Sequence, residues 1–265
     1  MNGFNANNAI LFPPVGNPRW LVKKSCLRSF WLLIIPNGKY GIAKRWFVRV
    51  VLPFALPLLR SATISDDIDF LYLGVDDGKQ TELAVKFTKS GVLFRKSAKN
   101  LLRTKYIDID AEYMMRLSDP SDGTFPRFLS YDHSILSFYG SIPSYGFNPK
   151  LVSHREKLVD ALIKMYKIFP VERNEQGIVC CRCHGDLNRW NMFIDEEQTL
   201  HIFDFETMGV NYLGFDLLTA YKDEVPAYEL KIILDVDLKR LYKGLGIEES
   251  TILNQLDLLA KLSFK

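Results

Sequence analysis

Asp186, Asn191 and Asp204 are the residues whose types and spacing could do chemistry together. They fall in Cys183-His184-Gly185-Asp186-Leu187-Asn188-Arg189-Trp190-Asn191 and in Ile202-Phe203-Asp204-Phe205-Glu206. Two short apolar segments, 191–194 and 200–204, flank the polar stretch 195–199, so they read as two strands and a turn. Folding them antiparallel about the midpoint of Glu197 and Gln198 sets Asn191 opposite Asp204, and an amide oxygen meets a carboxylate at the mouth of the hairpin. Two hard oxygen donors side by side suit Mg2+, which takes few protein ligands and leaves its other positions to water and substrate phosphates. Asp186, just upstream, is placed to accept the proton of an attacking hydroxyl. Base, metal-binding amide and metal-binding carboxylate, in that order, are what phosphoryl transfer uses. The competing reading is a polar loop between core strands with no chemistry.

The form His-Gly-Asp-Leu, three residues, Asn, then Asp-Phe-Glu resembles the aminoglycoside phosphotransferase and choline kinase family, where protein kinases usually carry His-Arg-Asp and Asp-Phe-Gly. The resemblance implies an α+β, two-lobed protein-kinase-like fold, with a mostly β N-terminal lobe and a helical C-terminal lobe that carries the catalytic hairpin. It implies ATP and Mg2+ as cofactors and a hydroxyl of a small molecule as acceptor. By position, Asp186 is then the catalytic base, Asn191 and Asp204 are the metal ligands, and His184 is a buried residue that holds the catalytic loop. An aspartate placed like Asp216 opens a helix in this family and braces the catalytic loop. A plain helix N-cap would occupy the same position equally well.

These residues need elements to position them. Phe70 to Val75 and Thr81 to Phe87, joined at Asp76-Asp77-Gly78-Lys79-Gln80, read as strand, turn and strand. Ala84-Val85-Lys86 resembles the strand lysine that holds nucleotide phosphates, and Glu112, on a helix with Tyr113 or Met114 and Leu117 facing inward, is its expected partner. An exposed lysine and an exposed helix glutamate are the plain alternatives. Asp119-Pro120 ends that helix. Segments 126–131 and 135–139 read as strands leading to the interlobe hinge, and the resemblance puts adenine near Tyr139 and Ile142. No Gly-x-Gly-x-x-Gly occurs; Gly38 and Gly41 read as turn residues, and 88–91 is a weak candidate for a phosphate contact.

The chain has 265 residues, 48% of them apolar, enough for one sizeable core or two small lobes, divided as 1–139 and 140–265. Residues 151–169 carry helical spacing and stop before Pro170, and 248–262 reads as a final amphipathic helix. The net charge of +3 hides an uneven distribution. The first 65 residues hold nine Lys or Arg and no Asp or Glu, leaving −6 for the rest. Those cations alternate with Trp20, Phe30, Trp31, Trp46 and Phe47. The mixture fits a peripheral contact with an anionic membrane surface or an anionic glycan. Read instead as structure, 31–35 and 47–52 are core strands of the small lobe, which is the favoured reading. No apolar run reaches the eighteen or so residues of a membrane span. The opening residues lack a signal-peptide core, so the expected place is the cytoplasm, peripheral at the inner membrane face if the basic segment binds lipid. Cys26, Cys180, Cys181 and Cys183 have no disulfide or zinc spacing.

The resulting expectation is an ATP- and Mg2+-dependent kinase acting on a sugar, a saccharide or an amino alcohol, with no nucleic acid partner. Its rivals are a nucleotide-binding pseudokinase or scaffold, and a membrane- or glycan-binding module built on the basic segment.

Overall fold

The computed structural model describes residues 8–13, 19–54, 59–73, 81–89, 91–119 and 121–263. The turn expected over 76–80 lies outside them, as do Ser90 and Pro120. The chain forms two compact units, residues 1–118 with 126–145, and residues 119–125 with 146–265.

The first unit is mostly β, as the resemblance implies. Its strands are β1 (Ala9–Phe12), β2 (Trp20–Lys23), β3 (Ser61–Ala62), β4 (Phe70–Tyr72), β5 (Thr81–Thr88), β6 (Gly91–Ala98), β7 (Arg127–Asp132) and β8 (Ile135–Gly140). They form one sheet in the order β3-β1-β2-β4-β5-β6-β8-β7. Alternation sorts its side chains. Leu83, Val85 and Phe87 lie on the face that packs with Ile10, Val22, Leu27, Phe30 and Phe70. Cross-strand pairing puts Phe94 and Lys96 on that same face, opposite Val85 and Leu83, and puts Lys86, opposite Leu93, on the other.

Two helices belong to this unit, α1 (Gly38–Val50) and α2 (Leu101–Leu117). The strands expected over 31–35 and 47–52 are helical instead: Lys24–Leu33 is a 3-10 segment that buries Leu27 and Phe30, and α1 follows it. The sheet edge they would have formed is supplied by β1, β2 and β3. Helix α2 starts at Asn100, whose side chain accepts the Arg103 N–H at 3.0 Å. Ile107, Asp110, Met114 and Leu117 make its buried stripe.

In the second unit α3 (Val152–Ile168), α4 (Phe215–Tyr221), α5 (Ala227–Leu245) and α6 (Ile252–Ser263) surround short strands: β10 (Glu172–Arg173), β11 (Val179–Cys183), β12 (Met192–Ile194), β13 (Leu200–Ile202) and β14 (Gly209–Tyr212). Strand β9 (Tyr145–Gly146) lies at the sequence boundary. α3 and α6 fall where helical spacing places them. A buried polar knot ties three helices together: Arg155 Nε on α3 donates to Asp237 Oδ2 on α5 at 3.0 Å, and Tyr221 Oη on α4 donates to the same oxygen at 3.0 Å. Among the described residues no helix is long and apolar enough to cross a membrane.

Candidate active site

Strands β12 and β13 form the expected hairpin, one residue out of the expected register. Met192 pairs with Ile202 and Ile194 with Leu200. The Phe203 N–H donates to the Asn191 carbonyl at 3.2 Å, so Asn191 stands opposite Phe203 and Asp204 follows one residue later. The turn explains the difference. Gln198 has φ 63°, and the Asp195 carboxylate accepts the Thr199 N–H at 2.8 Å and bonds His201 Nε2 at 2.7 Å. Asp204 itself is left-handed, with φ 69° and ψ 62°, a conformation that costs energy in a residue with a side chain and clusters at functional positions.

Asp186 sits on a loop held at both ends. Buried Leu187 anchors the loop to the core. Asn188 Nδ2 donates to Asp186 Oδ1 at 2.8 Å, and the Asn191 amide reaches Asp186 through Nδ2, at 2.8 Å to its carbonyl and 3.3 Å to Oδ2. Nδ2 is turned to Asp186, which leaves Asn191 Oδ1 on the other side of the amide. The exposed Asp186 carboxylate and the amide of Asn191 are thus brought together, and the hard oxygens of Asn191 and Asp204 fit Mg2+. Asn188 was not singled out by the sequence reading. Its offset of two from Asp186 is its only signal.

Under this loop lies Asp216, fully buried in the first turn of α4. Its carboxylate accepts the N–H groups of His184 at 2.8 Å and Gly185 at 3.0 Å, and the Tyr166 hydroxyl at 2.8 Å. It therefore braces this loop through the backbone, while Gly214 holds the N-cap position. Burial and the adjacent Asp216 charge push the Tyr166 hydroxyl well above its ordinary value. The Cys183 thiol is pushed up by its hydrogen bond with Cys181, by burial and by Asp216.

His184 is fully buried, and its Nε2 lies 2.9 Å from the Phe203 carbonyl; a carbonyl only accepts, so Nε2 carries the proton. That bond joins the catalytic loop to the segment before Asp204. Thr207 Oγ1 closes the loop from the other side, donating to the His184 carbonyl at 2.8 Å. Gly185 must be glycine: its φ is +85°, and a Cβ would lie 2.5 Å from the Thr207 carbonyl oxygen. Cys181 and Cys183 share one face of β11, 3.5 Å apart, as buried thiols.

Lys86 and Glu112 do not pair: Glu112 forms a half-exposed ion pair with Arg116 on its own helix, and Lys86 lies on the face of the sheet opposite Lys96. The buried ion pair between sheet and helix is Lys96 with Asp110, 2.8 Å apart. The reason is alternation. Asp110 is on the buried stripe of α2, two residues from Glu112, and Lys96 is on the strand face toward it. Tyr139 pairs with Leu93 and so shares the face of Lys86, where Arg127 lies over its ring at 4.8 Å. Ile142 packs against the apolar cluster of the first unit.

Residues 178–238 match the sequence model of the phosphotransferase enzyme family. No curated protein sequence matches the chain. Among solved structures, the macrolide 2'-phosphotransferase of Brachybacterium faecium superposes with a TM-score of 0.51 and 11% identity, over 69% of this chain and 80% of that one. The Plasmodium vivax ethanolamine kinase gives a TM-score of 0.48 and 10% identity, over 91% and 84%. The choline kinase LicA of Streptococcus pneumoniae gives 0.40 and 14%, over 73% and 92%. The likeness of fold rests on the first of these, and the matched segment holds Asp186, Asn191, Asp204 and Asp216 together. Residues 178–238 are thus similar in sequence to the phosphotransferase enzyme family, and the two-unit α+β fold is similar to that of a phosphotransferase of known structure.

Proposed function

We propose that the chain transfers the γ-phosphoryl group of ATP, with Mg2+, to a hydroxyl of a small molecule, a sugar, saccharide or amino alcohol. The observation that supports this most directly is the junction of Asp186 and Asn191, whose Nδ2 donates to the Asp186 carbonyl at 2.8 Å and to its carboxylate at 3.3 Å. Asp186 receives the acceptor's proton as its oxygen bonds phosphorus and the bond to the departing ADP oxygen breaks. Asn191 Oδ1 and the Asp204 carboxylate would hold Mg2+, which would supply charge neutralisation on the phosphates. Lys96, held by Asp110, takes the phosphate-binding role first assigned to Lys86. Asp216 and His184 do no chemistry; they fix the loop.

We place the protein in the cytoplasm, with its basic N-terminal segment meeting an anionic membrane surface, which suits a saccharide acceptor of the cell surface. A second reading, a nucleotide-binding scaffold without turnover, is favoured by the packing of the Lys96 face, where Phe94 stacks on Phe138 at 5.3 Å.

Thermal stabilisation by ATP, GTP and ADP, each with and without Mg2+, tests the nucleotide site without needing the acceptor. The expected result is a Mg2+-dependent shift with ATP that Asp204→Ala removes, followed by turnover on one member of a panel of sugars and amino alcohols. No shift with any nucleotide at millimolar concentration would overturn the kinase reading. A shift with no turnover across the panel would support the scaffold.

A further inference from the structure

Helix α1 is built inside out. At 100° per residue, Gly41 and Val48 define its inner side. Val48 is fully buried, and a Cβ on Gly41 would sit 2.9 Å from the backbone of Pro36. The arc of about 160° facing away carries Ile42, Trp46, Val50, Phe47 and Tyr40, with Lys39 as its only charge. Trp46 is 60% exposed and Tyr40 93%, and Phe54, just past the helix, is 85% exposed. A helix of a water-soluble unit turns its apolar arc to the core; this one turns it outward.

The helix is nonetheless held firmly by its unit. Arg45 donates to the carbonyls of Pro143 at 2.9 Å and Ser144 at 3.1 Å. The guanidinium groups of Arg45 and Arg49 lie over the Trp31 ring at 4.6 and 4.7 Å. Lys44 and Arg49 are exposed on the two flanks of the apolar arc.

We propose that α1 is an interfacial helix that lays Ile42, Trp46, Phe47 and Val50 into an anionic lipid bilayer, with Lys39, Lys44 and Arg49 meeting the headgroups. This deepens the membrane reading of the basic segment and does not depend on phosphoryl transfer. Aromatic side chains favour the boundary between headgroups and acyl chains, and cations beside them gain from anionic lipid. The charge pattern selects this occupant. The first 65 residues hold nine cations and no carboxylate, which matches a diffuse anionic plane. A second copy would bring the same cations against these and be repelled.

The test is co-sedimentation of the whole chain, without nucleotide, with vesicles of phosphatidylcholine alone and of phosphatidylcholine mixed with phosphatidylglycerol. Three proteins are compared: wild type, Trp46→Glu with Phe47→Glu, and Lys39→Gln with Lys44→Gln. The wild type is expected to pellet with the anionic vesicles and at least about tenfold more weakly with the neutral ones or in high salt. Both variants should lose about tenfold or more of that binding while keeping the wild-type melting temperature, because the altered side chains are exposed. Absence of binding by the wild type would overturn both the inference and the membrane reading of the segment. Binding unchanged in both variants would overturn the inference alone and move the contact to another part of the segment. A dimer on size-exclusion chromatography that the Trp46→Glu, Phe47→Glu variant abolishes, with no vesicle binding, would reassign the face to a second copy.

Discussion

Lys96 and Asp110 meet at 2.8 Å across the join of β6 and α2, with their side chains 10% and 2% exposed. Removing one member of a buried pair strands the other charge, which costs about 3–5 kcal/mol. Lys96→Ala should therefore lower the melting temperature strongly and abolish any Mg-ATP shift. Lys86→Ala, on the opposite face, should change stability by about 0.5 kcal/mol or less and keep the nucleotide shift. A nucleotide shift lost in Lys86→Ala but kept in Lys96→Ala would return the phosphate-binding role to Lys86.

The brace under the catalytic loop makes a separable forecast. Asp216→Ala leaves two backbone N–H groups and the Tyr166 hydroxyl unpaired in the core. Each buried group left unpaired costs about 1–3 kcal/mol, so a loss of about 2–4 kcal/mol is expected after partial relaxation. Tyr166→Phe removes one donor and leaves both backbone bonds to Asp216, so it should cost about 1 kcal/mol. Urea unfolding of both variants measures the difference; equal effects would show that Asp216 acts through Tyr166 and not through the loop.

His154 gives stability a pH dependence of known sign. Its Nδ1 accepts the Asn148 N–H at 3.1 Å, which requires the neutral ring at that nitrogen. Burial, and then the Lys157 charge, lower its pKa from 6.5. The folded state thus refuses a proton that the unfolded chain accepts. The stability this contributes is fully present above pH 6.5 and is lost as pH falls from there through the lowered folded value. Melting temperatures of wild type and His154→Gln across pH 5 to 8 should converge toward the acid end. A constant gap would mean that His154 does not titrate in this range.

The catalytic hairpin was legible because its polar turn separates two apolar runs, but its register was not. Counting from the turn midpoint cannot see that Gln198 turns left-handed or that Asp195 takes bonds from both Thr199 and His201. Ala84-Val85-Lys86 follows the kinase pattern, whereas Lys96, which makes the buried pair with Asp110, follows Arg95 and looks like one half of a solvated pair. Asp110 interrupts the stripe of Ile107, Met114 and Leu117, and a carboxylate on such a stripe reads as an error until its partner is known. Around 31–35 and 47–52 the apolar runs are too short for periodicity to separate strand from helix. There the deciding facts were tertiary: β1, β2 and β3 already fill the sheet edge, and Gly41 lets α1 press on the chain at Pro36.

Asp195 stands at the far end of the hairpin from Asn191 and Asp204, yet it sets how the two strands are counted against each other. A strand repeats its side-chain direction every two residues, so a slip of one place would turn the side chains of β13, and of Asp204 beyond it, to the opposite side of the hairpin. The proposed phosphoryl transfer would fail with Asp186, Asn191 and Asp204 all in place. A residue that touches neither substrate nor metal is in this way the ruler of the active site, and a substitution there would appear in an assay as a lost catalytic group.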